Sequence, residues 1–383
     1  MIAGEPSGDL LGAALMGGLK ELDPEGSFEG VGGPSMIAQG MTSNFEMSEL
    51  SVMGIAEVLP KYRHLKRRIR ETADAVIASD VDAMITIDSP DFCLRVARLV
   101  KAVKPNLRTI HYVAPTVWAW RPGRADKMAK VIDHVLALLP FEPPYMEAAG
   151  MGCDFVGHPV TAEPQASEAE MAALREAHGI GADEPVMLVL PGSRRSEVTR
   201  LAPVFGEALR AVLAKRPELR VVVPTTDGAA STLIEQVATW PGTPVVLDPR
   251  GQEVSTFQTM KRATFGTAEL ALAASGTVSL ELAAARTPMV IAYDMNWLSR
   301  QIIWRMVNID TVTLVNLVAE TRAVPEYLGL DCKPEAIAKA VLALSGDPSA
   351  QFAAMDVTME RLGRGAEPPG VRAAKAVLGA LEK

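Results

Sequence analysis

The stretch AMITIDSPDF, residues 83–92, decides how the chain is interpreted, because an apolar run ends abruptly there in polar residues. Its first five residues, Ala83–Ile87, have the length and character of a fully buried strand. Asp88, Ser89 and Pro90 then begin a turn into an amphipathic segment. A short apolar strand followed by a helix is typical of a parallel sheet covered by helices.

The same alternation extends over the rest of the chain. It predicts strands at residues 28–32, 83–87, 109–113, 135–139, 153–156, 186–190, 220–223, 244–247, 270–273 and 289–293. Helices are expected between them, for example over residues 61–78, where Leu65, Ile69, Ala73 and Val76 recur three or four residues apart. The fold class predicted is α/β, with two Rossmann-like, doubly wound domains in tandem and a cleft between them.

A polar, proline-containing stretch at residues 157–164 separates the two series of strands and is typical of a linker. The domains expected are residues 1–160 and residues 161–345. Residues 346–383 are expected to form C-terminal helices, for which a return to the first domain is one option. Because doubly wound sheets bind ligands beyond the carboxyl ends of their strands, we expect functional residues directly after strands.

Composition narrows the class of protein. The 383 residues carry 38 Lys and Arg against 46 Asp and Glu, a formal net charge of −8, which argues against a general nucleic-acid binder. Three cysteines, far apart in the chain, suit a reducing cytoplasm better than a disulfide scaffold. No apolar run approaches the ~20 residues of a membrane span, and no signal peptide is expected, so we predict a soluble or peripheral protein.

Two carboxylates follow the strand 83–87, and either one is a candidate for acid–base chemistry. Asp88 lies nearest the strand end and faces the predicted cleft, where a carboxylate can take a proton from an alcohol as a general base. Asp91 lies three residues further on, where it or Ser89 serves equally well as a cap of the next helix.

Two further loops follow strands in the first half. GEPSGD, residues 4–9, comes after Ile2 and Ala3, which resemble the end of a clipped strand, and its glycines permit a tight turn close to a ligand. HYVAPTVWAWR, residues 111–121, carries two tryptophans that can stack on a sugar ring, beside Arg121, which can meet a phosphate. The alternatives are a capped helix start for the first loop and tryptophans packed beneath the second.

Two loops in the second half are suited to phosphate groups. Ser193 and Arg194 follow the strand 186–190 in LPGSRRSEV and offer backbone N–H groups and a guanidinium fork. ASGTVSLE, residues 274–281, puts three small residues before a helix and places Glu281 one turn further on, where it can accept hydrogen bonds from a ribose diol. We therefore expect the second half to bind a nucleotide.

One motif is a false lead. Asp80-Val81-Asp82 has the spacing of a metal-binding DxD, but it precedes a strand, so it lies at the wrong edge of the sheet and is interpreted as a solvated turn. The metalloprotease, CxxC and P-loop motifs do not occur in the sequence. Metal catalysis and ATP hydrolysis are therefore not predicted.

Taken in order, the motifs resemble the lipid A disaccharide synthases, bacterial glycosyltransferases with the two-domain GT-B architecture. The resemblance covers nearly the whole chain. The segments that carry it are GEPSGD, GVGGPSM, SVMGIAEVL, IDSPDF, HYVAPTVWAWR, LPFE, GHP, LPGSRRSEV, ASGTVSLE and LVNL. In the last of these, Val315 stands before Asn316, where the family usually has a proline.

The resemblance implies a reaction and a role for each matching residue. UDP-2,3-diacylglucosamine and 2,3-diacylglucosamine 1-phosphate would give the β-1,6-linked lipid A disaccharide 1-phosphate and UDP, with inversion, without a metal and without a cofactor. Asp88 would be the base, and Arg194 would stabilise the departing UDP. The implied UDP-sugar residues are Ser193, Ser275, Gly276, Thr277, Glu281 and Asn316, and the acceptor residues are Gly8, Met53, Ile55, Trp118 and Arg121.

A basic segment bears on where the protein is located in the cell. Six basic residues between Lys61 and Arg70, beside the apolar residues of 52–59, predict peripheral attachment to the cytoplasmic face of the inner membrane, against the alternative of a solvated helix face. The sequence leaves a homodimer open. The competing functions are a UDP-sugar 2-epimerase and a non-catalytic nucleotide-sugar binding protein.

Overall fold

The computed structural model describes residues 1–50, 55–121, 123–295 and 309–382, with the side chains of 55–61 left out. The chain divides into two compact units: Met1–Ala162 together with Leu362–Lys383, and Glu163–Arg361. The C-terminal segment expected at residues 346–383 is therefore divided, because the helix Ser349–Arg361 belongs to the second unit and the helix Pro369–Leu381 belongs to the first.

The first unit is built on a five-stranded parallel sheet in the order β1-β4-β5-β6-β7, with a separate parallel pair formed by β2 and β3. Its strands are β1 (Ile2–Ala3), β2 (Glu29–Gly30), β3 (Thr42–Ser43), β4 (Ala83–Ile87), β5 (Arg108–Tyr112), β6 (His134–Ala137) and β7 (Gly152–Phe155). Its helices are α1 (Pro6–Leu22), α2 (Pro34–Ala38), α3 (Ile55–Ala78), α4 (Pro90–Val103), α5 (Gly123–Met128), α6 (Pro143–Ala148) and the helix Pro369–Leu381.

The helix Pro369–Leu381 packs against α1 through glycines. A side chain at Gly18 would lie 2.5 Å from the carbonyl oxygen of Gly370, and one at Gly370 would lie 2.4 Å from that of Ala14. Because no side chain fits in this space, the two backbones approach closely. Ala373, Ala374 and Val377 then join the core cluster that contains Leu15.

The second unit has a six-stranded parallel sheet in the order β10-β9-β8-β11-β12-β13. Its strands are β8 (Val186–Leu190), β9 (Arg220–Pro224), β10 (Val245–Leu247), β11 (Ala268–Ala274), β12 (Met289–Tyr293) and β13 (Glu326–Leu328). Its helices are α7 (Glu168–Ala177), α8 (Arg195–Leu213), α9 (Ala230–Val237), α10 (Val254–Thr267), α11 (Val278–Ala284), α12 (Leu314–Ala319), α13 (Pro334–Gly346) and α14 (Ser349–Arg361).

Both sheets reverse their strand order, and ligands bind α/β sheets at such reversals. In the second unit the chain progresses outward from β8 through β9 to β10, and on the other side from β11 to β13, so the reversal lies between β8 and β11. In the first unit Val31 bridges to Ile2 on the far side of β1, so the reversal lies between β1 and β4. The loops after these strands are GEPSGD, IDSPDF, LPGSRRSEV and ASGTVSLE.

The parallel, doubly wound sheets confirm the predicted α/β fold class. The strand predicted at residues 28–32 is reduced to Glu29–Gly30, because Val31 turns away to form its bridge with Ile2. Across the described ranges, no helix is long and apolar enough to cross a bilayer.

Candidate functional site

A cavity of about 660 Å³ opens at the carboxyl ends of the strands of the second unit. The loops after β8 and β11 form its floor, and α10 forms one side. Six residues were predicted to bind the UDP-sugar, and the structure brings five of them to this cavity together with Arg194. The predicted residues that line the cavity are Ser193, Arg194, Ser275, Gly276, Thr277 and Glu281.

The loop after β8 is shaped by Glu197, which the sequence did not single out. Its carboxylate accepts hydrogen bonds from the backbone N–H groups of Ser193 (3.1 Å) and Arg194 (3.3 Å), so these donors already have a partner. It also pairs with the Arg194 guanidinium at 3.2 Å and accepts a bond from the Tyr293 hydroxyl at 3.4 Å. Gly192 has φ of 121° and approaches Glu197 too closely for any side chain. What faces the cavity is therefore the Arg194 side chain, 64% exposed, rather than the two backbone donors.

The loop after β11 brings all four of its predicted residues, Ser275, Gly276, Thr277 and Glu281, to the cavity. Gly276 has φ of 158°, a backbone conformation that L side chains rarely adopt, and Ser275 and Thr277 flank it on the cavity wall. Glu281 lies in α11 and forms an ion pair with Lys261 of α10, with Oε2 2.5 Å from Nζ. Lys261 also lines the cavity, so the structure adds one cation that sequence reasoning missed. In the sequence, Lys261 is marked only by its position in the amphipathic pattern of a helix, which does not distinguish it from other lysines.

Asn316 is not brought to this cavity. It is fully buried, and its side-chain Nδ2 donates to Val324 O at 2.9 Å and to Thr311 Oγ1 at 3.2 Å, while Oδ1 accepts from Val324 N at 3.0 Å. Every polar atom of the amide is thus used to hold the segment around α12 in place. The binding of the UDP-sugar by Asn316 stays a prediction.

Asp88 lies at the strand-order reversal of the first unit, at the end of β4. Asp88 and Ser89 both adopt left-handed backbone conformations, with φ of 50° and 42°, and such strain costs roughly 1–3 kcal/mol per residue. The carboxylate accepts a hydrogen bond from Ser7 of the GEPSGD loop at 3.4 Å. Residues in this strained conformation cluster at functional sites, so the backbone supports the choice of Asp88 over Asp91, which is exposed in the first turn of α4.

Asp88 faces a cavity of about 190 Å³ within the first unit. Val113, Pro115 and Thr116 form one wall of it, and Val113 also has a left-handed φ, of 84°, which is a clear outlier for a β-branched residue. His111 lies beneath this wall and bonds to Thr86 Oγ1 at 2.7 Å, and burial lowers the pKa of its imidazole to about 4. His111 is therefore a weak base, and its Nδ1 is already bonded to Thr86, so Asp88 stays the base candidate in this cavity.

The GEPSGD loop packs against the Asp88 turn. A side chain at Gly4 would lie 2.7 Å from Ser89 Oγ, and one at Gly8 would lie 3.2 Å from the Ile87 carbonyl. Gly8 is buried in α1, so its glycine identity is explained by helix–strand packing, and its predicted contact with the acceptor stays a prediction.

Asp9 has a role that the sequence did not reveal. Its buried carboxylate accepts hydrogen bonds from the backbone N–H groups of Gly33 (2.9 Å), Ser35 (2.9 Å) and Met36 (3.0 Å). It therefore caps α2, a helix that begins 25 residues later, rather than its own helix. These three hydrogen bonds hold the segment GVGGPSM, residues 30–36, next to the GEPSGD loop.

The loop between β5 and α5 holds both of its predicted acceptor residues. Trp118 packs edge-to-face on Phe141, with ring centroids 5.2 Å apart, and its Nε1 donates to Glu142 at 3.3 Å. Arg121 is exposed and lies 4.3 Å above the ring of Trp120. Trp118 is therefore half-buried under the loop, as the packing alternative expected, whereas the contact of Arg121 with the acceptor stays a prediction.

The predicted apolar acceptor residues lie outside the described part of the chain: Met53 falls in the gap at 51–54, and of Ile55 only the backbone, at the start of α3, is described. Among the residues that the structure describes, no group of three or more His, Cys, Asp and Glu side chains could hold a metal ion.

Comparison with known proteins identifies the family. The family model described as lipid-A-disaccharide synthetase matches residues 1–368. The lipid-A-disaccharide synthase of Ruegeria pomeroyi is 66% identical over 381 residues, which cover 100% of this chain and 94% of the relative. That of Rhodospirillum centenum is 47% identical over 387 residues, with 100% and 94% covered.

Among solved structures, a putative UDP-N-acetylglucosamine 2-epimerase from Listeria monocytogenes has a similar fold, with a TM-score of 0.64. The two sequences are 14% identical, and the match covers 100% of this chain and 94% of that chain. Identity this low supports the GT-B fold and does not favour an epimerase activity. The family model and the sequence relatives do decide the function. The chain belongs to the lipid-A-disaccharide synthetase family, the glycosyltransferases of lipid A biosynthesis.

Proposed function

We propose that the chain transfers 2,3-diacylglucosamine from its UDP donor to 2,3-diacylglucosamine 1-phosphate, forming the β-1,6-linked disaccharide 1-phosphate and UDP. The observation that carries the proposal is the cavity at the strand-order reversal of the second unit, where Arg194, Ser275 and Glu281 line a space of about 660 Å³. A cavity of this size, with polar groups for phosphate and ribose, suits a nucleoside diphosphate.

In the proposed reaction Asp88 takes the proton of the acceptor 6-hydroxyl. The hydroxyl oxygen attacks the anomeric carbon, a new C–O bond forms on the opposite face, and the bond to the diphosphate breaks. UDP departs with the electron pair, so negative charge develops on its phosphate oxygens. One displacement inverts the anomeric centre, and a single base is sufficient.

Arg194 is proposed to stabilise the departing UDP. Its present partner is Glu197, but an ion pair whose arginine side chain is 64% exposed contributes at most ~1 kcal/mol. The guanidinium is therefore released at little cost when a diphosphate, with its greater charge, enters the cavity. A fixed positive charge at developing anionic oxygens is a principal way in which enzymes lower such barriers.

The nucleotide is proposed to lie across the loop after β11. The backbone at Ser275–Thr277 would approach the phosphates, and Glu281 would accept hydrogen bonds from the ribose diol. Lys261 holds one oxygen of Glu281 and leaves the other available. This orientation places the ribose toward α10 and the phosphates toward Arg194.

Peripheral attachment to the cytoplasmic face of the inner membrane is also proposed, but on fewer charges than the sequence suggested. Three of the arginines in residues 61–70 form ion pairs: Arg67 with Glu71, Arg68 with Glu49 and Glu71, and Arg70 with Asp74. Arg63 and Lys66 are exposed and form no ion pair with any described residue. These two are the side chains proposed to meet anionic lipid.

The experiment that tests the reaction is mass spectrometry of the products from UDP-diacylglucosamine with and without diacylglucosamine 1-phosphate. Disaccharide and UDP should form together, and only when the acceptor is present. Asp88→Asn keeps the size of the side chain but cannot take the proton, so turnover should fall by about 10²- to 10⁴-fold with donor binding retained. Asp91→Asn is the matched control and should change turnover little. UDP release without acceptor, or near-normal turnover of the Asp88 variant, would contradict the proposal.

A further inference from the structure

Glu142 is a buried acid for which the proposed reaction has no use. It is 3% exposed and lies just after β6, at the start of α6. Its Oε2 accepts a hydrogen bond from the backbone N–H of Leu139 at 3.0 Å, and its Oε1 accepts one from Trp118 Nε1 at 3.3 Å. Burial raises the pKa of this carboxyl to about 7. Burial of a carboxyl group costs free energy, so its presence here indicates that the hydrogen bonds of its two oxygens matter, because an apolar side chain could not form them.

The partner of Glu142 belongs to the loop that forms a wall of the Asp88 cavity. Residues Val113, Ala114, Pro115 and Thr116 line that cavity, and Trp118 follows two residues later. The indole is held twice, by the hydrogen bond to Glu142 and by its edge-to-face contact with Phe141. The loop is therefore tied, through Trp118, to the segment that follows β6.

This loop needs such ties because its backbone is strained at both ends. Val113 and Arg121 have left-handed φ values of 84° and 51°. A strained backbone persists only when its surroundings hold it in place. The two contacts of Trp118 are part of the surroundings that hold this loop.

We infer that Glu142 is a positioning residue for the acceptor, which acts through Trp118 to hold the loop 113–121 in the shape that receives the acceptor beside Asp88. The inference rests on the proposed function, in which the first unit binds the acceptor. It predicts that Glu142 and Trp118 form one functional unit, although neither is required to touch the reacting atoms.

Two conservative variants separate this role from simple packing. Trp118→Phe keeps an aromatic ring against Phe141 and removes only the N–H donor. Glu142→Gln keeps the shape and removes the charge and one of the two acceptor oxygens. We expect each to raise the acceptor KM about 10-fold, equivalent to ~1.4 kcal/mol, with kcat reduced less and the calorimetric Kd for UDP unchanged.

The double variant gives the decisive measurement. If Glu142 acts through Trp118, the double variant has the same acceptor KM as either single variant, because the same contact is lost once. Trp240→Phe is the matched control, since this buried tryptophan of the second unit has an Nε1 without a hydrogen-bond partner among the described residues. That control should leave the acceptor KM unchanged.

Several results would overturn the inference: independent, multiplicative losses in the double variant, an unchanged acceptor KM in folded single variants, or an equal loss of UDP affinity. Asp88→Asn, measured in the same assay, separates this inference from the reaction on which it rests. If Asp88→Asn loses turnover while Glu142→Gln and Trp118→Phe keep a normal acceptor KM, the reaction stands and only the positioning role fails. If Asp88→Asn retains turnover, the proposed reaction itself fails.

Discussion

The ion pair between Glu281 and Lys261 offers a direct test of where the nucleotide lies. Glu281→Ala removes the carboxylate that is proposed to accept hydrogen bonds from the ribose, and leaves Lys261 in the cavity wall. The ribose hydroxyls would then have no acceptor at this position. UDP and UMP should both bind more weakly, because both carry the same ribose.

The magnitude follows from the contacts. Hydrogen bonds to a charged group are worth about 1.5–3 kcal/mol, and both side chains of the pair are roughly 30% exposed, so water partly replaces what is lost. We therefore expect a loss of about 1–3 kcal/mol. That range corresponds to a 5- to 150-fold increase in the Kd of either nucleotide.

A thermodynamic cycle between protein and ligand makes the test specific. Calorimetry would compare UDP with 2′,3′-dideoxy-UDP on the unaltered protein and on the Glu281→Ala variant. If Glu281 bonds to the diol, the variant should bind both ligands with similar affinity, because the bond is already absent in the dideoxy ligand. Glu163→Gln is a matched control: burial, and after it the nearby charge of Glu281, raise the pKa of the Glu163 carboxyl, yet Glu163 does not line the cavity.

A penalty that is the same for UDP and for the dideoxy ligand would refute the reasoning. It would mean that Glu281 acts by charge or by shaping the loop rather than by contact with the ribose. An unchanged Kd for all ligands would remove Glu281 from the site altogether.

Two further predictions concern the cap of α2 and the membrane. Asp9→Ala leaves three backbone N–H groups without an acceptor, so the free energy of unfolding of the first unit, measured in urea titrations, should fall by about 2–4 kcal/mol. Asp91→Ala, at an exposed position, is the control and should change this free energy by less than ~1 kcal/mol. Equal effects of the two variants would contradict the capping role. Replacing Arg63 and Lys66 by Glu should weaken the affinity for anionic vesicles, measured by co-sedimentation, by about 30-fold or more, and should leave the affinity for zwitterionic vesicles unchanged. An unchanged affinity for anionic vesicles would show that these two residues do not mediate membrane attachment.

The sequence predicted the main sheets because their strands are uniformly apolar. Ala83–Ile87, Val186–Leu190 and Met289–Tyr293 are strands with the predicted bounds. The short strands were harder: Thr42–Ser43 and Glu326–Leu328 contain two or three residues, too few for an apolar pattern to be recognised. Their formation depends on neighbours distant in sequence.

The site was predicted where a motif follows a strand, and missed where a side chain acts across elements. Arg194, Ser275 and Glu281 line one cavity as their positions after β8 and β11 suggested. Glu197 and Lys261 were missed because an acid or a lysine on an amphipathic helix is ordinary until its partner is known. The partner of Asp9, 24 residues away, is likewise visible only in three dimensions.

The close approach of Gly18 to Gly370 has a consequence for how the protein is made. Residues Glu163–Arg361 form a continuous insert, so this unit has all of its chain before Leu362–Lys383 has been synthesised. The first unit, in contrast, lacks the helix that covers α1 until that segment emerges from the ribosome. We therefore expect the second unit to mature first. The face of α1 that this helix covers then stays exposed for the time that some 200 residues take to translate, on the order of tens of seconds at bacterial rates.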